Sequence, residues 1–193
     1  MLTRQPPQLR PLDAAADRSA VALLDLSYHS ERVLVVHRRA TGFDLHEERS
    51  SPPIERRYEV EWSELAHSAF AVVAVHAERI VGVAALNVSA WNRRGTVAHL
   101  YVDRAWRGVR IGTQLIAAVE RAGVERSVRA LWVETQNVNV PAFRFYESCG
   151  FELCGLDMSL YDPSTVVGET ALYLSKALAP PGTSSVSRDA AAV

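Results

Sequence analysis

Cysteine is scarce in this chain: Cys149 and Cys154 are the only two. Two thiols build no disulfide framework and no set of paired metal ligands, so both are expected as buried or half-buried side chains. A surplus of positive charge is missing as well. The formal net charge is -1, which leaves no basic field to hold a duplex, and no nucleic-acid partner is expected. Long apolar runs are absent. "FAVVAV" and "IVGVAAL" are far too short to span a bilayer, and the opening "MLTRQPPQLRP" has no apolar core of the kind that directs secretion. These absences predict a soluble cytoplasmic protein with no membrane partner.

Several chemistries are excluded in the same way. No Gly-Lys-Ser/Thr follows a glycine-rich turn, so there is no P-loop, and no G-x-G-x-x-G marks a dinucleotide fold. His29, His37, His46, His67 and His76 are scattered. No two of them have helical ligand spacing with a carboxylate close by, and no metal is expected. Ser27 and Ser148 lack a histidine and an acid for a hydrolytic triad. The pairs Arg38-Arg39, Arg56-Arg57 and Arg93-Arg94 read as solvated faces.

What is present is an ordinary globular composition, 48% hydrophobic and 22% charged, enough for one α/β domain with a buried core. One domain is expected over 1–178, loose in its first eleven residues and followed by a disordered Pro/Gly/Ser/Ala tail over 179–193. Asp13 is placed to cap a helix over 14–27, with Ala20, Leu23 and Leu24 facing inward. "RVLVVHR" predicts a strand. The stretch 38–68 holds turn signals at Thr41-Gly42 and Pro52-Pro53 around short strand-like pieces, with no clear path. "AFAVVAV" and "RIVGVAALNV" predict a hairpin closed near Ala77-Glu78, and "GTVAHLYVD" the next strand. Ile111, Leu115, Ile116, Val119 and Ala122 recur at helical spacing, predicting a helix over 109–123 that Gly123 can end. "VRALWVET" is strand-like. Asn139 is an N-cap with Pro141 in the first turn behind it, Ala142, Phe145, Tyr146 and Cys149 form one helical face, and Gly150 stops that helix. "FELCGL" and "ETALYLSK" close a mixed α/β sheet.

Between the strand ending at Val102 and the helix lies "RAWRGVRIGTQL". A strand that turns tightly into a helix gathers backbone N–H groups at the positive end of the helix dipole, which is an anion site. Arg107 and Arg110 add charge. The loop by itself reads first as an ordinary solvated strand–helix turn, with the phosphate cradle as the alternative.

"VDRAWRGVRIGTQLI" followed by "LWVETQNVNVPAFRFYESCGF" resembles the GCN5-related N-acetyltransferase (GNAT) superfamily. Its pyrophosphate loop, Arg/Gln-x-x-Gly-x-Gly/Ala, is approximated by Arg107, Gly108 and Gly112, with Arg110 in place of the middle glycine. Asn139, Ala142, Tyr146, Gly150 and Phe151 match its second motif. Within that superfamily, "SAWNRRGTV", "VETQNVNVPA", "FYESCGFELCGLDMSLYD" and "ETALYLS" are similar to the streptothricin (nourseothricin) acetyltransferases. The resemblance implies a GNAT fold: a mixed, mostly antiparallel sheet of six to seven strands with flanking helices, in which a splayed strand pair holds acetyl-CoA.

The same resemblance implies the roles. Backbone groups of Leu100 and Val102 would bond the pantetheine arm as an added strand does. Amides from Val109 through Arg110, Ile111 and Gly112 to Thr113 would grip the pyrophosphate, beside Arg107 and Gly108. Asn139 would cap its helix, bond the cofactor, or both. Tyr146 would be the general acid for the departing thiolate, or a core tyrosine. A primary amine is protonated at neutral pH and must lose a proton to attack. Glu134 and His99 are the candidate bases, because Ala98 and His99 stand where the streptothricin enzymes tend to carry acids. Trp91, Asn92, Asp157 and Tyr161 are candidate contacts to the acceptor. The acceptor implied is a small-molecule amine, the β-lysine amine of a streptothricin, and a homodimer is common in the superfamily. Two rivals remain: a GNAT enzyme for a polyamine or protein amine, and a non-catalytic acetyl-CoA-binding module.

Overall fold

The computed structural model of the chain describes residues 6–166 and 168–179, so the expected tail lies almost wholly outside the described residues. Residues expected to be loose are partly ordered. Gln8–Pro11 form β1, an edge strand antiparallel to β4 (Phe70–His76). The expected helix over 14–27 shrinks to α1, Arg18–Ala22. Asp13 instead closes a turn, its Oδ1 accepting from the Ala15 and Ala16 amides. Asp17 is buried, salt-bridged to Arg10 at 2.6 Å. Val21 and Leu24 face inward, but Leu23 is 79% exposed, because α1 ends at Ala22 and Leu23, its C-cap, lies past the helix whose face it was expected to join.

The stretch with no clear path is a long hairpin, β2 (Ser27–Arg39) against β3 (Gly42–Arg57), turning at Ala40-Thr41, one residue before the expected Thr41-Gly42. Pro52 and Pro53 lie inside β3 rather than at a turn, and the pairing slips between Ser30 and Arg32. The short helix α2, Trp62–Ala66, leads into β4. The chain reverses into β5 (Arg79–Ser89) at Ala77-Glu78, with φ of 45° and 65°. Two consecutive left-handed residues make the turn whose twist suits a two-residue hairpin. β6 (Arg94–Val102) pairs antiparallel with β5. A 3-10 turn at Arg104–Trp106 then leads to α3, Ile111–Glu125.

Gly123 does not end α3. It is buried within the helix, where an added Cβ would come within 2.9 Å of Leu178 Cδ1, so its smallness serves close packing. β7 (Ala130–Gln136), α4 (Val140–Ser148), β8 (Glu152–Asp157) and β9 (Ala171–Ala177) follow. The main sheet has seven strands in the order β1-β4-β5-β6-β7-β9-β8, and β2-β3 stands apart as a two-stranded unit. Every pairing in the main sheet is antiparallel except β6 with β7. One face packs on α3 and α4 through Leu86, Val97, Leu115, Val119, Phe143 and Leu174. The other packs on α1 and α2 through Val21, Leu65, Val73 and Val83. No helix among the described residues is long and apolar enough to cross a membrane.

Candidate active site

The parallel pair β6–β7 is joined only at Arg94–Ala130, Gly95–Leu131 and Thr96–Trp132. Beyond Thr96 the two strands part, and a cleft of about 620 Å³ opens between them. It runs through the sheet: Val133, Ala142 and Tyr146 line it from the α3/α4 side, and Tyr28, Tyr58, Tyr101 and Glu134 from the other. A bulge lies on its wall. Ala85 pairs with His99 but Leu86 pairs with Val97, so Ala98 is the extra residue. Such an insertion reverses the facing of everything that follows.

Backbone direction follows from one hydrogen bond. The Asp103 amide donates to Val81 O at 3.0 Å, and groups on a strand alternate. Tyr101 therefore bonds β5, while Leu100 and Val102 turn their backbone groups toward the gap. The Val102 carbonyl is already engaged, accepting from Arg107 Nε at 3.0 Å. Leu100 and the Val102 amide are left to meet a ligand laid along the strand.

The loop between β6 and α3 is shaped by Asp103 and Ser27, neither of which the sequence marks as its support. Asp103, 2% exposed, accepts from the Ala105 amide at 3.0 Å and the Asp25 amide at 3.3 Å, and pairs with Arg79 at 2.8 Å. Ser27 O accepts from Arg107 Nη1 at 2.7 Å. A lone Asp directly after a strand was the available signal for the first; the second joins elements 80 residues apart and has no local signature. Burial pushes the Arg107 guanidinium below its ordinary pKa, although it remains a cation at any working pH.

Gly108 has φ 78° and Arg110 φ 66°. Arg110 thus takes, at the N-cap of α3, the left-handed conformation that a glycine adopts without strain. This is why a glycine is expected there and how an arginine can stand in. Behind it, the first-turn amides of Ile111, Gly112 and Thr113 have no acceptor within the helix, and all three residues line the cleft. Gly112 has a second duty: an added Cβ would sit 3.0 Å from the Phe145 ring, so α3 and α4 can approach only because that side chain is absent.

Asn139 caps α4 as expected, its Oδ1 accepting from the Ala142 amide at 3.1 Å, while its Nδ2 donates to Tyr58 Oη at 3.3 Å. Tyr58 in turn donates to Gln136 and stacks on Tyr28 with centroids 5.5 Å apart. Tyr28, Tyr58 and Gln136 were missed in the sequence because they come together from the hairpin base, the segment after it and β7. Tyr146 lies with its ring edge-on to Phe145 and Phe151, at 5.5 and 5.6 Å. Burial, with smaller contributions from Tyr101 and Glu134, pushes its phenol well above its ordinary pKa. It therefore keeps its proton throughout the working range.

Glu134 is half-buried on β7, with Tyr161 donating to its Oε1. Burial raises the carboxyl above its ordinary value, and the Tyr161 bond pulls the other way. Tyr161 thus reaches the site through Glu134. The remaining candidates are placed elsewhere. His99 is 4% exposed, opposite Ala85 on the α1/α2 face, and does not line the cleft. Trp91 is 88% exposed in the β5–β6 turn beside Asn92, whose Oδ1 caps the Arg94 amide. That turn is at the opposite end of β6 from Val102. Asp157 is half-buried at the end of β8 and accepts from Ser159.

A bare strand edge beside a cluster of helix-end amides suits a long ligand with amide groups along its arm and phosphates at its end. Tyr146 and Glu134 bring a phenol and a carboxylate to the same cleft. These are the requirements of acyl transfer from a carrier thioester, and they define the class. The Acetyltransferase (GNAT) family matches residues 37–151, and the chain belongs to that family; it is an acetyl-CoA-dependent N-acetyltransferase. It is 33% identical over 169 residues to the streptothricin acetyltransferase of Streptomyces lavendulae, covering 82% of this chain and 89% of that one. A crystal structure of nourseothricin acetyltransferase superposes with a TM-score of 0.82 at 32% identity, over 91% of this chain and 100% of that one. A Bacillus anthracis str. Ames protein solved in complex with acetyl coenzyme A gives a TM-score of 0.76 at 25% identity, over 89% and 99%.

Proposed function

We infer that the chain transfers the acetyl group of acetyl-CoA to an amine of a streptothricin-type antibiotic and so confers resistance. The observation that carries the reading is the Glu134–Tyr161 pair at the acceptor end of the cleft, in a chain whose relatives are streptothricin acetyltransferases over most of its length. The coenzyme's arm lies along Leu100 and Val102, and its diphosphate meets the amides from Val109 to Thr113 beside Arg107 and Arg110. A cationic acceptor enters past Tyr28, Tyr58 and Tyr101, whose ring faces favour an ammonium. Glu134 compensates the charge and takes the proton, and Tyr146 hydrogen-bonds the departing sulfur. Asn139 is chiefly a cap and a support for Tyr58. Neither Trp91 nor Asp157 has a part in this arrangement.

Purified protein with acetyl-CoA and streptothricin should release free thiol at a rate proportional to enzyme. Thiol release with a polyamine or a peptide amine alone would replace the antibiotic by another acceptor. Coenzyme binding by calorimetry without turnover on any amine would reduce the chain to a binding module.

His99 gives a separate test. Both ring nitrogens are buried without a partner among the described residues, and burial depresses the imidazole pKa. A depressed histidine favours the fold above the unfolded value of about 6.5, and that contribution is lost as pH falls below it. His99→Leu removes the orphaned nitrogens. It should retain kcat within about threefold and lose less stability between neutral and acid pH than the native chain, by thermal melts across that window. A fall in kcat of the size expected for a lost acid or base, about 10²-fold, would restore His99 as the base.

A further inference from the structure

The outer face of the β2–β3 hairpin brings together side chains that the sequence keeps apart. In the register, Val35 pairs with His46, His37 with Asp44 and Val33 with Glu48. Directly paired residues point the same way, as do residues two apart on one strand. His37, His46 and Glu48 therefore share one face, and all three are exposed. The opposite face is the one that works for the fold: Leu34 is buried in the core, and Glu47 pairs with Arg144 of α4.

The two imidazoles stack with centroids 4.7 Å apart and planes 4° from parallel, and His46 Nε2 lies 2.5 Å from Glu48 Oε1. One donor atom from each of the three residues falls within 4.8 Å of the other two. Two ligands bound to one zinc at about 2.0–2.1 Å sit somewhat closer together than that. The remaining gap is closed by turning exposed rings about their broad terminal torsion, with no movement of the backbone. Helical spacing does not find this group, because its three side chains come from two paired strands.

We propose that His37, His46 and Glu48 form a surface site for a borderline divalent transition metal, Zn²⁺, Ni²⁺ or Cu²⁺. Two imidazoles and a carboxylate match these ions and not Ca²⁺ or Mg²⁺, which take oxygen ligands. The site is separate from the acetyl-transfer cleft, and its metal binding is independent of which amine that cleft acetylates. Its effect is to tie β2 to β3 across their outer face.

The test is calorimetry with ZnCl₂ on the full chain lacking any purification tag. One Zn²⁺ should bind with micromolar affinity and raise Tm, while CaCl₂ should do neither. His37→Ala and His46→Ala should each weaken Zn²⁺ binding at least about tenfold, the scale on which metal-site changes act. Both positions are exposed, and circular dichroism of the metal-free variants verifies the fold. His67→Ala and Cys154→Ser, at exposed positions elsewhere, should bind like the native chain. Absence of Zn²⁺ binding at submillimolar concentration would overturn the proposal. So would loss of binding in the His67 or Cys154 variant with retention in the His46 variant.

Discussion

Tyr146→Phe is expected to lower kcat by about 10²-fold while the affinity for acetyl-CoA stays within about twofold, the lower end of what loss of a positioned acid or base costs. The ring is core: it packs edge-on against Phe145 and Phe151, and phenylalanine preserves those contacts. The hydroxyl makes no hydrogen bond among the described residues and belongs to a residue lining the cleft, so its removal leaves no protein group unpaired. Stability should therefore change little. Burial keeps the phenol protonated, and a thiol of ordinary pKa near 8.5 is the stronger acid. In the proposed mechanism Tyr146 would therefore act by donating a hydrogen bond to the sulfur as negative charge grows there. Full transfer would leave a costly buried phenolate. That places its effect on the transition state alone, so kcat and kcat/KM should fall together. Steady-state kinetics with a thiol-reactive dye checks this, and a kcat near that of the native enzyme would leave Tyr146 a packing residue.

Much of this arrangement is legible in the chain because local chemistry dictates it. Asn139 and Pro141 mark the start of α4, Ala77-Glu78 closes the β4–β5 hairpin, and the apolar repeat from Ile111 to Ala122 gives α3. What escapes the sequence depends on pairing. His99 is a plausible base on a strand beside the cleft until the bulge at Ala98 is known. With one extra residue between the two register segments, Val97 enters the α3/α4 core while His99 sits opposite Ala85 on the other face. No window of composition shows where an antiparallel ladder slips. The hairpin poses the same difficulty at larger scale. Its polar outer face and interior prolines obscure the alternation that Leu34, Val36 and Leu45 carry, so neither the Tyr28–Tyr58 stack nor the stacking of His37 on His46 could be anticipated. Arg110 shows the converse. It departs from the family's glycine, yet its φ of 66° shows the loop keeping the required backbone.

Glu134→Gln should reduce kcat by about 10²–10³-fold, within the range for loss of a general base. The amide is nearly isosteric, and its carbonyl can still accept from Tyr161, so the acceptor end keeps its shape while losing both charge and basicity. The pH profile separates these two losses. Burial raises the Glu134 carboxyl above its ordinary value, so in the native enzyme kcat should fall on the acid side at a pH above the usual carboxylate range, as the base takes up its proton. The glutamine variant should have no such limb and should be slow at every pH. If Glu134 served only to hold the ammonium, KM for the amine would rise while kcat and its acid limb survived. Stability supplies a control with a definite sign. A carboxyl raised on folding favours the native state below its unfolded pKa, and this contribution vanishes as pH rises through the folded value. At neutral pH the native chain therefore bears the desolvation of a half-buried charge that the amide avoids. The variant's Tm at neutral pH should be no lower than the native one, which means that a collapse of activity in it reports lost chemistry and not lost structure.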